Sequence, residues 1–442
     1  MKNILILGAG RSSTSMIHYL LENASANSWN ITIGEKETSL AQAKFPTAEI
    51  IAFDVFDENQ TQAEITKADL IISMLPASMH IHVAKVCASI GRDMLTASYV
   101  SEEIKALSDQ FAEKGKQCIM ELGLDPGLDH MSAMKVLDRI KEQGHELTAF
   151  ETFTGGLLAE DKVTNNPWQY KFTWNPRNVV LAGTGNVKFL QESRYKYIPY
   201  HRLFNRTEVI HIPEYGYFEG YANRDSLKYL DQYQLRGIKT LYRGTLRRTG
   251  FCKAWNVFVQ LGATDDSYKM DQVGEMTHRQ FINSFLRYNP HDSVELKLAH
   301  YMNIGVDSEE MYKLKWLDLF SDELVGLDEG SPAQVLEHIL KKKWTLSPED
   351  KDMIVMWHKF NYIDNGKPKE IQSHMVAIGD DSVNTAMSKT VGLPLAIAAK
   401  MVLLGKIKTE GVHIPTKKEI YEPILEELQS LGFIFSERET IS

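Results

Sequence analysis

Three clusters of residues in this chain of 442 have the types and spacing to do chemistry. The first is Gly8-Ala9-Gly10, which follows the apolar run Ile4-Leu5-Ile6-Leu7 and precedes a helix-competent stretch from Ser12 to Leu21. A buried strand that runs through a glycine turn into a helix aims backbone N–H groups at a pyrophosphate. Gly8 permits the tight turn and Gly10 a close backbone approach, while Arg11, Ser12 and Ser13 open the helix. Ser13 stands where the dinucleotide fingerprint has its third small residue, so the match is partial. The second cluster is Leu122-Gly123-Leu124-Asp125-Pro126-Gly127-Leu128-Asp129-His130. It supports two readings. Asp125 is the N-cap of a helix with Pro126 in its first turn and Asp129-His130 as a polar pair, or Asp125 is a carboxylate placed for proton transfer beside a cofactor. The third is a set of polar-aromatic strings that periodicity does not explain: Thr154-Gly155-Gly156-Leu157, Tyr170-Lys171-Phe172-Thr173-Trp174, Asn223-Arg224-Asp225-Ser226 and Arg243-Gly244-Thr245-Leu246-Arg247. Arginine there supplies the planar fork that carboxylates need.

Alternating strands and helices must position the first two clusters. Ile31–Glu35, Glu49–Phe53, Asp69–Met74, Met94–Ser98 and Gln117–Leu122 read as strands, with helical patterns between them. Such alternation predicts an α/β fold, a Rossmann-type doubly wound parallel sheet whose ligand crevice lies at the carboxyl ends of the strands. Leu75-Pro76 and Ser98-Tyr99 stand at such ends and are expected to line it. Glu35 ends the second strand, where an acid accepts hydrogen bonds from a ribose and repels a 2′-phosphate. NAD is therefore expected over NADP, with Lys36 as the counter-signal. His80 and His82 are spaced by two, cannot share a helix face and have no completing ligands, so no metal site is expected.

After Glu146 the texture changes to one rich in aromatics, glycine and proline, as in an α+β substrate domain with a mixed sheet. The expected organisation is a dinucleotide-binding domain over 1–125 and a substrate domain over 126–383. Residues from Ala263 to about Phe360 look mainly helical and the tail from Asn384 is helical again. The family resemblance given below implies a largely helical insertion at about 263–360 and C-terminal helices over 384–442 that return to the first domain. Ser347-Pro348-Glu349-Asp350 reads as a helix start. Net charge is −9 with no basic arm, so nucleic acid is not an expected partner. Cys87, Cys118 and Cys252 lie far apart and suggest a reducing cytoplasm. Residues 1–20 do not read as a signal peptide, and Val391–Leu404 reads as a buried helix and not a membrane span. A homodimer would be ordinary.

The strings Glu121–His130, Gly155-Gly156-Leu157, Tyr170–Trp174, Tyr221–Ser226, Arg243–Arg247 and Thr390-Val391-Gly392-Leu393-Pro394, taken in order, resemble the L-glutamate-forming saccharopine dehydrogenases, or saccharopine reductases. The resemblance implies a small-molecule amino-acid substrate in lysine metabolism. The reaction would be oxidation of saccharopine by NAD(P)⁺ and water to glutamate and aminoadipate semialdehyde, or the reverse condensation. It also implies that Ser98, Tyr99, Asp125, Thr154, Lys171, Arg224, Thr245 and Arg247 face substrate, with Asp125 as the candidate catalytic carboxylate. Arg224, Arg247 and Lys171 would hold the substrate's carboxylates. Two departures stand out. Thr154 replaces the family's usual cysteine, and Leu158-Ala159-Glu160 replaces its usual prolines. The alternatives are a related reductive-amination enzyme, such as a carboxynorspermidine synthase, and a non-catalytic nucleotide sensor.

Overall fold

Ile4, Leu5, Ile6 and Leu7 are each at most 2% exposed, so this strand is covered on both faces, as the centre of a parallel sheet requires. In the computed structural model, which describes residues 1–159, 165–185 and 187–441, that strand is β1 (Lys2–Leu7). The chain divides into two units. The first comprises Met1–Glu146 and Met375–Ser436, and the second Leu147–His374 with the residues from Glu437 onward.

In the first unit β1 pairs in parallel with β2 (Trp29–Glu35) on one side and β4 (Leu70–Ser73) on the other. Beyond β2 lies β3 (Glu49–Ala52). Beyond β4 lie β5 (Asp93–Leu95), β6 (Gln117–Ile119) and the C-terminal strand Gly411–His413. All of these pairings are parallel. The helix Ala386–Leu403 is mostly buried and lies on the first helix, Thr14–Asn27. Ser388 Oγ accepts from Ser15 N at 3.1 Å, and the two helices approach so closely at Gly392 that a Cβ there would stand 2.9 Å from the backbone N of Met16. The helix Lys418–Ser430 docks on Leu128–Glu142, with Tyr421 OH donating to Asp138 at 2.7 Å. This docking keeps Leu128–Glu142 in the first unit, although the sequence reading ended that domain at 125.

In the second unit a mixed sheet runs β10-β11-β12-β7-β13-β14-β16, with the hairpin β8–β9 added against β12. Its strands are β7 (Glu146–Leu158), β8 (Val187–Gln191), β9 (Arg194–Ile198), β10 (Thr207–Ile212), β11 (Gly216–Ala222), β12 (Thr240–Arg248), β13 (Asp352–Asp364), β14 (Lys367–Ile378) and β16 (Ser436–Ile441), β15 being Gly411–His413 of the first unit. β12 is parallel to β7 and antiparallel to β11. Five helices fill the stretch between β12 and β13, from Phe251–Leu261 to Pro332–Trp344. The expected helix at Ser347 is instead a turn. Asp350 accepts from both the N–H and the hydroxyl of Ser347 at 2.6 Å, so the acid caps back onto the serine, and β13 starts two residues later. Leu158 and Ala159 are buried, and Glu160 lies outside the described residues.

Gly392→Ala should destabilise the first unit by about 1–3 kcal/mol, because the methyl meets backbone and not a side chain that can turn aside. Chemical denaturation of the variant against the parent measures this.

Candidate active site

Strand order in the first unit reverses between β1 and β4, and a doubly wound sheet binds its ligand at that reversal. The glycine turn occupies it. Gly8 has φ +98°, and a Cβ on it would stand 2.9 Å from the Met74 carbonyl oxygen at the end of β4, so glycine is required. Around Gly10 the Cβ position has no atom within 4 Å. The chain then enters a short 3₁₀ turn, Arg11–Ser13, that leads into the 14-residue helix Thr14–Asn27. Ser13 is buried and its hydroxyl donates to the Gly10 carbonyl at 2.8 Å. The third fingerprint position thus closes the turn and does not face outward. Leu75 and Pro76 follow directly on β4. A strained glycine turn, open space in front of it and the positive end of a helix fit a dinucleotide pyrophosphate.

Glu35 does not stand free at the end of β2. Its carboxylate accepts from Ala9 N–H at 2.7 Å and Lys36 N–H at 3.0 Å, tying the strand end to the glycine turn. Arg11 and Lys36 are exposed beside it. Lys44, which donates to Thr14, has its pKa lowered by burial and by the nearby Arg11 charge. Cations therefore gather where the second ribose of a dinucleotide is expected.

The ends of β4, β5 and β6 carry a polar network. His80 is 1% exposed and bridges two hydroxyls, with Ser73 Oγ 2.8 Å from Nδ1 and Ser98 Oγ 2.6 Å from Nε2. Burial lowers its pKa to about 4, so the ring is neutral at neutral pH. A neutral imidazole donates from one nitrogen and accepts at the other, so Ser73 and Ser98 take opposite hydrogen-bonding roles. Tyr99 OH donates to Asp125 Oδ1 at 3.2 Å. Asp125 is not a helix cap. The peptide to Pro126 is cis, the helix begins at Leu128, and its N-cap is Gly127, whose N–H donates to Asp129 at 2.6 Å. The acid that meets the backbone at the helix start is thus Asp129, inside the first turn, while Asp125 meets the tyrosine. Glu121 accepts from Val100 N–H at 3.1 Å and from His130 Nε2 at 2.8 Å.

In the second unit three of the expected residues share one sheet face. Thr154 on β7 is opposite Thr245 on β12, Thr245 is opposite Tyr221 on β11, and Arg247 lies two residues further along β12. Arg247 is 4% exposed. Its guanidinium lies over Tyr170, Phe251 and Tyr221, at 5.0, 5.3 and 5.9 Å from the ring centres. It donates to the Leu246 carbonyl at 2.8 Å, and its Nε has no hydrogen-bond partner among the described residues. Burial opposes the charge, but Tyr221, Tyr170, Cys252 and Glu219 outweigh it and raise the arginine's pKa. Thr154 Oγ1 and Thr173 Oγ1 are likewise buried without a partner among the described residues. Lys171 is turned to the buried Asp350. Arg224 is exposed just past β11, in the left-handed region at φ +51°, and its carbonyl accepts from Lys188 N–H at 3.1 Å.

A sequence profile described as the saccharopine dehydrogenase C-terminal domain matches residues 123–433, and one described as the saccharopine dehydrogenase NADP binding domain matches residues 4–119. The chain belongs to the saccharopine dehydrogenase family. It is 35% identical over 450 residues to the mitochondrial alpha-aminoadipic semialdehyde synthase of Rattus norvegicus, covering 100% of this chain and 48% of that protein. The chain thus spans about half the length of the mammalian relatives it matches. It is 29% identical over 456 residues to the NADP(+), L-glutamate-forming saccharopine dehydrogenase of Saccharomyces cerevisiae, with 100% of both chains covered. The structure of apo saccharopine dehydrogenase (L-Glu forming) from that yeast matches with a TM-score of 0.89 at 28% identity over 100% of both chains.

The family's nucleotide domain is an NADP binding domain, which overturns the NAD preference read from Glu35. Glu35 accepts one backbone amide on each carboxylate oxygen, from Ala9 and Lys36, so its charge is spent in part on the turn, and the exposed charges at this end of the turn are Arg11 and Lys36. The sequence reading also passed over Ser73 and Glu121 as site residues, and weighed His80 only as a metal ligand. Polar residues at strand ends are the signal that would have found the first two.

Because His80 stays neutral in the fold while an unfolded chain protonates it near pH 6.5, its environment favours folding fully above that pH. The contribution is lost as the pH falls toward 4. The stability difference between the parent and His80→Gln should therefore shrink by about 2 kcal/mol between about pH 7.5 and pH 5, at about 1.36 kcal/mol per pKa unit. Urea denaturation at the two pH values measures it, and a constant difference would mean that His80 titrates normally.

Proposed function

We propose that this chain oxidises the secondary amine of saccharopine with NADP⁺ and water, giving glutamate and aminoadipate semialdehyde, and catalyses the reverse reductive condensation. The observation that carries the reading is Arg247. It is a buried guanidinium walled by aromatic rings with no ion-pair partner among the described residues, on one face with Thr154 and Thr245. Such a group is stable only if its charge is met by a ligand or by well-placed neighbours, and a carboxylate is the ligand that matches its fork. Family membership supplies the substrate with three carboxylates. Arg224 is the proposed second anchor. Lys171 is assigned a lesser role, since Asp350 already holds its ammonium. A diamine-preferring relative would need acidic anchors, and Glu219, the acid opposite Arg247, is tied to the Cys252 amide.

NADP⁺ supplies the hydride acceptor when bound, and the glycine turn with Arg11 and Lys36 would hold it. A protonated secondary amine cannot give up hydride, so the protein must keep the substrate nitrogen neutral. Asp125, oriented by the Tyr99 hydroxyl and partly exposed, is the proposed group that takes the proton from that nitrogen, releases it to solvent, then takes a proton from the water that attacks the imine and passes it to the departing amine. Ser98, held by His80, is proposed to orient the substrate beside this pair. Thr154 presents a hydroxyl where relatives have a thiol, so the reading requires no thiol chemistry there. Three buried free cysteines support a reducing, cytoplasmic setting.

The test is turnover of saccharopine followed as NADPH absorbance, with NAD⁺ compared. Clear turnover, faster with NADP⁺, is expected, and its absence with either cofactor would overturn the reading. Arg247→Lys should weaken saccharopine binding by about 2–4 kcal/mol while NADP⁺ affinity stays unchanged. A normal Michaelis constant for saccharopine would remove Arg247 from the site.

A further inference from the structure

Glu121 combines three features that rarely occur together without a functional demand. It is an acid at 1% exposure. It holds a left-handed backbone, φ +59°, which a side chain adopts only at a cost. It also bonds to two separate segments. Its N–H donates to the Ser98 carbonyl at 3.0 Å and its Oε1 accepts from the Val100 N–H at 3.1 Å. These are the two backbone neighbours of Tyr99, so Glu121 brackets that residue from both sides. Its Oε2 faces His130 Nε2 at 2.8 Å. A carboxylate only accepts, so that nitrogen carries the proton. The other ring nitrogen lies 3.5 Å from Asp129 Oδ2, and Asp129 Oδ1 accepts from Gly127 N–H at 2.6 Å, two residues after Asp125.

The bonds form a closed circuit. It runs from Tyr99 through Val100 to Glu121, on through His130 and Asp129 to Gly127, and back through Asp125 to the tyrosine hydroxyl. Glu121, His130 and Asp129 are all at most 1% exposed, whereas Tyr99 and Asp125 are partly exposed. The buried part of the circuit is therefore a back wall, and the accessible part is the pair proposed above for the proton transfer. We propose that Glu121 is a positioning residue which, through Val100 on one side and His130 on the other, fixes the Tyr99 hydroxyl on the Asp125 carboxylate. The alternative is a polar plug that serves only to fill the core. An apolar side chain of similar size would do that without burying a charge.

The test is a double-mutant cycle, which isolates coupling from general damage. Glu121→Gln keeps the shape, leaves an oxygen for the Val100 amide and removes the charge. It should lower kcat by about 10–100-fold with both Michaelis constants changed less than about threefold, the pattern of a mispositioned reacting group. In a Tyr99→Phe background the same substitution should cost less than about threefold. Equal costs in the two backgrounds overturn the proposal. A second readout needs no turnover. With ¹³C at the ζ carbon of tyrosine, and the Tyr99 signal assigned by its loss in Tyr99→Phe, Glu121→Gln should shift that signal, and an unmoved signal overturns the proposal. The proposal rests on the saccharopine reading only in its kinetic arm. If the parent protein turns over no saccharopine, that reading fails and the spectroscopic arm still decides this one. If Glu121→Gln does not fold, His130→Gln and His130→Asn replace it. Glutamine reaches Glu121 as Nε2 does and should keep the parent Tyr99 signal, whereas asparagine falls short and should shift it. Equal behaviour of the two overturns the proposal.

Discussion

The first unit depends on one constraint, the reversal of strand order between β1 and β4. On either side of it the helices leave the sheet toward opposite faces, so the backbone at the carboxyl ends of these two strands is open. Everything with chemical potential in this unit hangs from that edge. Gly8 touches the end of β4, Glu35 returns from the end of β2 to the turn, and Ser73, Ser98 and Glu121 stand at or just past the ends of β4, β5 and β6. The sheet's hydrophobic strands make the edge rigid. Ile71 and Ile72 are fully buried two and one residues before Ser73, and Met94 and Leu95 just before the Ser98 loop. Polar side chains placed on such strands can hold hydrogen bonds to each other with little further loss of freedom.

How much of this was legible in the sequence follows from the range of each contact. The glycine turn and the parallel sheet were readable because period and turn chemistry carry them locally, whereas the return of the C-terminal segment came only from the family resemblance. Arg247 was named only through the family resemblance, and it is the pairing of β12 with β7 and β11 that sets it on one strand face with Thr245 and Thr154. What failed was what depends on a distant partner. Glu35 read as a free strand-end acid, whereas it is tied to Ala9, 26 residues away. Asp125 fitted a cap by local rules, but the cap is Gly127 and the acid pairs with Tyr99, also 26 residues away. Ser347 and Asp350 were read in the direction of a helix start, while the acid folds back onto the serine and onto Lys171. His80 gave no local sign that two serines, one ending β4 and one in the loop after β5, would flank it.

The buried arginine of the second unit follows a different logic from the network of the first. In the network each buried polar group answers another, so burial raises the strength of every bond within it. Arg247 instead lies against the faces of Tyr170, Tyr221 and Phe251, which offer the negative side of their rings but no carboxylate. The wall behind those rings is stiff, because Trp168, Tyr170, Phe172, Phe251 and Trp344 pack edge to face with one another. A guanidinium held this way cannot swing out to water when a carboxylate is absent. The reorganisation that a surface arginine undergoes on binding is therefore already complete, and the interaction with an arriving carboxylate gains from the low dielectric around it. On the proposed function, the stability lost by burying the charge is recovered as affinity for a substrate carboxylate.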